Sequence, residues 1–104
     1  MNFSINQTIF DHIINSPKIF SDNGLTFIYA YCDQSALGFV VSKRLGPANK
    51  RNLFKRRCRS LFSDINKQNK NINLGLIVKT TSVDLDYEKM RGSFAKLIKV
   101  INSK

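Results

Sequence analysis

Acidic residues are scarce in this chain. Seven Asp and Glu stand against 17 Lys and Arg in 104 residues, for a formal net charge of +10. The acids are also scattered: Asp11, Asp22, Asp33, Asp64, Asp84, Asp86 and Glu88. A protein nuclease needs paired acids around a metal, or a histidine with a partner. Only Asp84, Asp86 and Glu88 crowd together, and the macrodipole at the start of a helix accounts for them. The one histidine, His12, reads as a surface residue. Cysteine is nearly absent. Cys32 and Cys58 have no metal-ligand spacing and fit reduced thiols in the cytoplasm. No apolar run approaches the roughly 20 residues that a membrane helix needs. The start, MNFSINQTIFDHII, has neither the basic segment nor the cleavable apolar core of a signal peptide. No glycine-rich phosphate loop of the nucleotide-hydrolase type occurs. Tryptophan is missing, but eight Phe and three Tyr leave aromatic surface for base stacking.

What the chain does have is concentrated in one stretch, Ser42 to Phe62, SKRLGPANKRNLFKRRCRSLF. It carries Lys43, Arg44, Lys50, Arg51, Lys55, Arg56, Arg57 and Arg59, and no acid. Such a block either repels itself into disorder or meets a polyanion. Leu45, Leu53, Phe54, Cys58, Leu61 and Phe62 are interleaved with the charges, which favours a folded element. Placed on a helix, residues 51–63 put Phe54, Cys58 and Leu61 on one side, with Phe62 at its edge. Arg51, Asn52, Lys55, Arg56 and Arg59 share an adjacent broad face, while Leu53 and Arg57 fall outside both groups. A solvated surface normally mixes signs, and this face does not. It is read as a helix for sugar–phosphate chains. Gly46 to Asn49 is expected to be a loop, with Asn49 as the helix N-cap.

The remaining chain reads as one domain over residues 1–104. Residues 6–15 carry Ile9, Phe10, Ile13 and Ile14 at helical spacing, stopped by Ser16-Pro17. Lys18 to Ser21 is a short edge strand and Asp22-Asn23-Gly24 a turn. Leu25 to Cys32 alternates, with Phe27, Tyr29 and Tyr31 on one face and Thr26, Ile28, Ala30 and Cys32 on the other. Asp33 to Ala36 reads as a hairpin turn into a strand over Leu37 to Ser42. The basic helix follows and runs to about Lys67. Leu74 to Thr80 is the last strand, and its βαβ relation to residues 37–42 makes the two parallel neighbours. The general rule makes such a crossover right-handed. Met90, Phe94, Leu97, Ile98 and Ile101 form a buried stripe on a final helix, where Gly92 is expected to permit close packing. The fold class is α+β, a single αβββαβα sandwich with helices packed on a central four-stranded mixed sheet.

The run Gly38-Phe39-Val40-Val41-Ser42-Lys43-Arg44, then Gly46, Ala48 and Arg51-Asn52-x-x-Lys55-Arg56-x-x-Arg59, resembles the protein subunit of bacterial ribonuclease P. The likeness is close over residues 38–62 and looser elsewhere, where Phe10 on the first helix and Tyr87-Glu88 opening the last one agree with it. The resemblance implies the same αβββαβα order, with a βαβ crossover that is left-handed, against the general rule. It implies an endoribonuclease whose RNA subunit performs the chemistry with magnesium, removing the 5′ leader of precursor tRNA. The protein would support that RNA, one protein per RNA, and bind the single-stranded leader in a cleft beside the first helix. Lys43, Arg44, Arg51, Asn52, Lys55, Arg56 and Arg59 are then RNA-binding residues. Phe10, Tyr29 and Tyr31 belong to the leader cleft, with register leaving open which tyrosine takes the family's place. Three residues depart from the family pattern. Leu53 replaces a usual arginine, so that one RNA contact is either missing or supplied by Arg57; Pro47 replaces an asparagine; Ile14 replaces a second cleft aromatic. The competing reading is a structural RNA-binding module, such as a ribosomal protein, with no processing role.

Overall fold

The computed structural model describes residues 5–68 and 73–102. Helix α1 spans Gln7–Ile14 and begins where the Asn6 side chain accepts the Ile9 N–H at 2.8 Å. Strands β1 (Ile19–Asp22) and β2 (Leu25–Tyr31) form an antiparallel hairpin. Its two turn residues, Asn23 and Gly24, have φ of 53° and 82°, so the Asn-Gly pair supplies the left-handed conformation that a tight hairpin requires. Strand β3 is Ala36–Val40, helix α2 is Ala48–Gln68, strand β4 is Leu74–Thr80 and helix α3 is Tyr87–Asn102.

The sheet order is β1-β2-β4-β3. β3 and β4 run parallel, as the strand–helix–strand pattern predicts, and β4 is antiparallel to β2. The segment after β2 is therefore not a hairpin turn. β4 enters between β2 and β3, and Ala36 already belongs to β3. The reason is burial. Leu74 to Val78 are all buried, and such a strand needs a neighbour on each side and cover on both faces. The connection is held instead to β4, where Cys32 N–H donates to the Asn73 carbonyl at 3.0 Å and the Asn73 amide donates to the Asp33 carbonyl at 2.8 Å.

Strand alternation sorts the two faces. Phe27, Tyr29, Leu37, Leu76 and Val78 join Phe54, Cys58, Leu61 and Phe62 of α2 and Met90, Phe94, Leu97 and Ile101 of α3 in the larger core. Phe27 meets Phe94 edge-on, centroids 5.0 Å apart, worth about 0.5–1.5 kcal/mol beyond burial. The opposite face buries Ile28, Ala30 and Ile77 under Ile13, with Ile5, Ile9 and Phe10 packed around them. Helix α1 can lie this close because the sheet lacks side chains beneath it. A Cβ on Gly75 would come within 2.6 Å of Ile13 Cδ1 and of Cys32 Sγ. Gly92, by contrast, has nothing within 4 Å of where its Cβ would stand. The close packing expected at that glycine does not exist, because it sits on the exposed side of α3.

Candidate nucleic-acid interface

The basic stretch folds as two consecutive pieces. Lys43–Leu45 form a single 3-10 turn, whose N-cap Ser42 accepts the Arg44 N–H at 3.3 Å. α2 then starts two residues sooner than its sequence suggests. The Pro47 carbonyl accepts from both Lys50 and Arg51 at 3.1 Å, so Asn49 lies inside the first turn and does not cap it. Proline suits the position just ahead of a helix, where no N–H is needed. The packing side is as the periodicity predicts, with Phe54, Cys58, Leu61 and Phe62 buried. Burial pushes the Cys58 thiol up to about 12, so it fills space as a neutral group. Burial also raises the Cys32 thiol.

The cation face beside this packing side stays available. Lys43, Arg44, Asn52, Arg56 and Arg59 are exposed, and Arg51 and Lys55 half-buried. The ion pairs among the described residues are Lys50–Asp84, Arg91–Glu88 and Lys96–Asp22, and they involve none of these seven. Two of the guanidinium groups are held in place by uncharged partners. Arg51 Nε donates to the Gly46 carbonyl at 3.2 Å, tying helix to loop. Arg59 lies over the Phe39 ring, 5.6 Å from its centroid, which anchors it beside the edge strand β3. Both keep terminal N–H groups for bidentate contact with phosphate.

Two cations of the same stretch are turned elsewhere. Lys50 pairs with Asp84 at 3.2 Å. Arg57 donates to the Leu85 carbonyl at 3.5 Å and its guanidinium carbon stands 5.9 Å from the Tyr87 ring centroid. Both are thereby held to the stretch from Asp84 to Tyr87, at the entry to α3. The helical projection set Arg57 apart from the cation face, but its partners lie 28 and 30 residues on and leave no local trace.

The cleft residues do not all come together. Phe10 rests over Gly38, where a Cβ would approach Phe10 Cδ2 to 3.4 Å. Tyr29 is 4% exposed and belongs to the larger core on the other face of the sheet. Phe10 and Tyr29 therefore do not line one cleft, which corrects the sequence expectation. The strand residues that face α1 are Ile28 and Ala30, of opposite parity. Tyr31 shares the parity of Tyr29 and is 48% exposed, with the Lys18 ammonium 4.4 Å from its ring centroid. It lines a recess of about 410 Å³ with Thr8, His12 and Gln34, on the flank of α1 away from Phe10. The sequence did carry a usable signal. Ala30, Gly38 and Gly75 are the small residues, and a helix packs where Cβ atoms are small or missing.

The carboxylates do not assemble into a metal centre. Asp22 accepts from Ser93 Oγ at 2.6 Å and pairs with Lys96 at 3.3 Å. The Ser93 hydrogen bond, with Lys96 adding to it, holds the Asp22 carboxyl below its usual range despite opposing desolvation. Asp84 and Glu88 are engaged with Lys50 and Arg91. Among the described residues no three His, Cys, Asp or Glu converge on a point that could hold an ion. No described helix is long and apolar enough to cross a membrane.

Comparison with known proteins bears on the family and the fold. The family model described as Ribonuclease P matches residues 5–102. The ribonuclease P protein component of Mycoplasma mobile is 28% identical over 94 residues, covering 90% of this chain and 84% of that one. The Staphylococcus aureus RNase P protein has the same fold, with a TM-score of 0.74 at 22% identity, over 97% of this chain and 96% of that one. The Thermotoga maritima RNase P protein superposes with a TM-score of 0.70 at 24% identity, over 86% and 88% of the two chains. With the family match running over nearly every residue, from α1 to the end of α3, this chain belongs to the ribonuclease P protein family.

Proposed function

We propose that this chain binds the catalytic RNA subunit of ribonuclease P and the 5′ leader of precursor tRNA, one protein to one RNA, in the cytoplasm. Ribonuclease P removes that leader, and its RNA subunit performs the cleavage. The protein's contribution is to bind and orient. Lys43, Arg44, Arg51, Lys55, Arg56 and Arg59 neutralise phosphates that would otherwise repel one another where substrate meets catalytic RNA. Asn52, exposed among them, offers both a donor and an acceptor for a base edge. Phe10, half-buried over Gly38, offers a face on which one leader base stacks. Stacking tolerates any base, which suits a protein that meets many precursors.

Magnesium belongs with the RNA in this reading, because the donor set of this chain does not fit a metal. Its acids are scattered, and three of them already hold protein cations.

The observation that carries the proposal is the acid-free cation face of α2, set by Arg59 and Phe39 against the strand that Phe10 overhangs. The test is to add the protein to a bacterial ribonuclease P RNA at low magnesium and follow precursor tRNA cleavage. Stimulation is expected. An inert protein that still binds RNA would mark a structural module instead, and cleavage without the RNA would mark a nuclease.

A further inference from the structure

Helices α2 and α3 pack side by side on the larger-core face of the sheet, while α1 lies on the other face. Among the described residues no further element covers the outer side of the pair. A recess of about 460 Å³ lies between them there. Its floor is apolar, with Leu61 and Ile65 from α2 and Phe94, Ala95 and Ile98 from α3. Ala95 is exposed, and Ile65 and Ile98 are half-buried, so the core reaches the surface along this seam.

The lips of the recess carry both signs. Asp64 and Gln68 stand on the α2 side, Arg91 and Lys99 on the α3 side. Arg91 is neutralised by Glu88. Asp64 and Lys99 are both exposed, and neither makes an ion pair with a described residue. The lips therefore have no net charge, in a chain whose total is +10. Copies of so basic a protein repel one another, and a face they share must escape that repulsion. In helical projection Asp64 and Gln68 fall on the flank of Leu61 away from Arg51, Lys55 and Arg59. The seam and the cation face can thus be occupied together.

We infer that this seam is where two copies of the chain associate, about a two-fold axis running along the recess. In such a pair one patch meets itself, so it must be self-complementary. The two helices run in the same direction, with Arg57 against Tyr87 near one end and Gln68 and Lys99 beside the recess toward the other. Rotation about an axis along the recess sets α2 of each copy over α3 of the other. Asp64 of one copy then faces Lys99 of the other, twice, and the apolar floors meet. An RNA strand fits the seam less well, because Asp64 repels it and only Lys99 is unpaired. Two helices about 10 Å apart, over about 18 Å from Arg57 to Gln68, offer on the order of 400 Å² per copy. That is roughly half of a standard interface, so the pair is weak, with a dissociation constant on the order of 100 µM. The inference stands apart from the proposed function and keeps one RNA per protein, since both cation faces stay open.

The experiment is sedimentation equilibrium of the free protein, cleared of nucleic acid, at moderate salt and from about 5 to 500 µM. The mass of the unaltered chain is expected to rise from monomer toward dimer. Asp64→Lys and Lys99→Asp should each weaken association about tenfold or more, because two exposed pairs turn from attraction to repulsion. An equimolar mixture of the two variants should associate about as well as the unaltered chain, since each mixed dimer restores both pairs. That recovery also shows that both variants are folded. A protein monomeric throughout the range would overturn the inference. So would a mixture no better than its components, or a dimer seen only when RNA is added, which would mean that RNA bridges the copies. A Lys99→Asp variant that associates more strongly than the unaltered chain would overturn it as well, because lowered net charge and not pairing would then drive association.

Discussion

Arg56 and Arg57 are adjacent in sequence and carry the same charge, yet the structure gives them opposite work. Arg56 is exposed on the cation face and has no carboxylate partner among the described residues. Arg57 donates to Leu85 and lies over Tyr87. Replacing each by alanine removes one charge from the chain, so any effect of net charge is common to both. If six cations each displace one counterion from RNA, the log–log salt slope of binding is about −4 to −5. Arg56→Ala should make it shallower by about 0.9 for a duplex phosphate. The lost affinity is then about eightfold at 0.1 M salt and shrinks toward nothing at 1 M. Its thermal stability should be unchanged. Arg57→Ala should leave the slope nearly as it was. Losing a long hydrogen bond and a cation–π contact at a partly buried site costs about 1 kcal/mol of stability. For a domain of this size that lowers Tm by about 4 °C. Filter binding to the catalytic RNA over a salt series, beside calorimetric melting of the free proteins, measures all four quantities. Equal slope changes for the two variants would refute the division of the basic stretch into an RNA face and a folding contact.

The glycines make an opposed pair. Gly92→Ala should stabilise the protein by up to about 1 kcal/mol, since a Cβ there meets nothing and α3 gains helix propensity. Gly75→Ala should destabilise it by about 1–3 kcal/mol by pushing on Ile13 and Cys32, with chemical denaturation reading both. Acid sensitivity should follow Asp22. Its carboxyl titrates below the ordinary value of 3.8, so the stability it adds is complete above that value and disappears as pH falls through the lowered one. Asp22→Asn should therefore be less stable than the unaltered chain near neutrality, with the gap closing as pH drops below about 4. A gap independent of pH would show that the Ser93 and Lys96 contacts do not favour the charged form.

Much of the fold is local enough to read along the chain. The stripes of α1 and α3, the packing side of α2, the Asn23-Gly24 turn and the alternation of β2 all obey periodicities of 3.6 or 2. The parallel pairing of β3 with β4 also follows, because strand–helix–strand leaves few alternatives. What did not follow is the position of β4 between β2 and β3. Adjacent strands joined by a short polar segment look like a hairpin until the most apolar strand of the chain takes the central place. The same non-local fact decides the cleft. Alternation divided β2 correctly into an aromatic face and a small-residue face, but only the sheet order and the seat of α1 reveal which is which. Alternation alone therefore sets Tyr29 beside Phe10, whereas it belongs to the core of Phe27 and Phe94. The partners of Lys50 and Arg57 were hidden for the same reason.

These displacements bear on how the interface is built. Every residue that fixes the cation face does so without an acid: a proline carbonyl begins the helix, a glycine carbonyl holds Arg51, and an aromatic ring carries Arg59. Asp84 and Glu88, in the segment that leads into α3 and in its first turn, are matched to Lys50 and Arg91. Had Asp84 stood opposite Arg56, RNA would have to displace an ion pair before binding, and the desolvation of both partners would oppose it. Orienting cations with carbonyls and rings keeps their positions defined while their charge remains uncompensated. A surface made this way binds phosphate with little rearrangement. It also predicts that Phe39→Leu, which retains the packing but removes the ring beneath Arg59, should weaken RNA binding without shifting the melting temperature by more than a few degrees. If that variant binds the catalytic RNA as tightly as the unaltered chain at every salt concentration, the ring does not orient the guanidinium, and Arg59 acts through its charge alone.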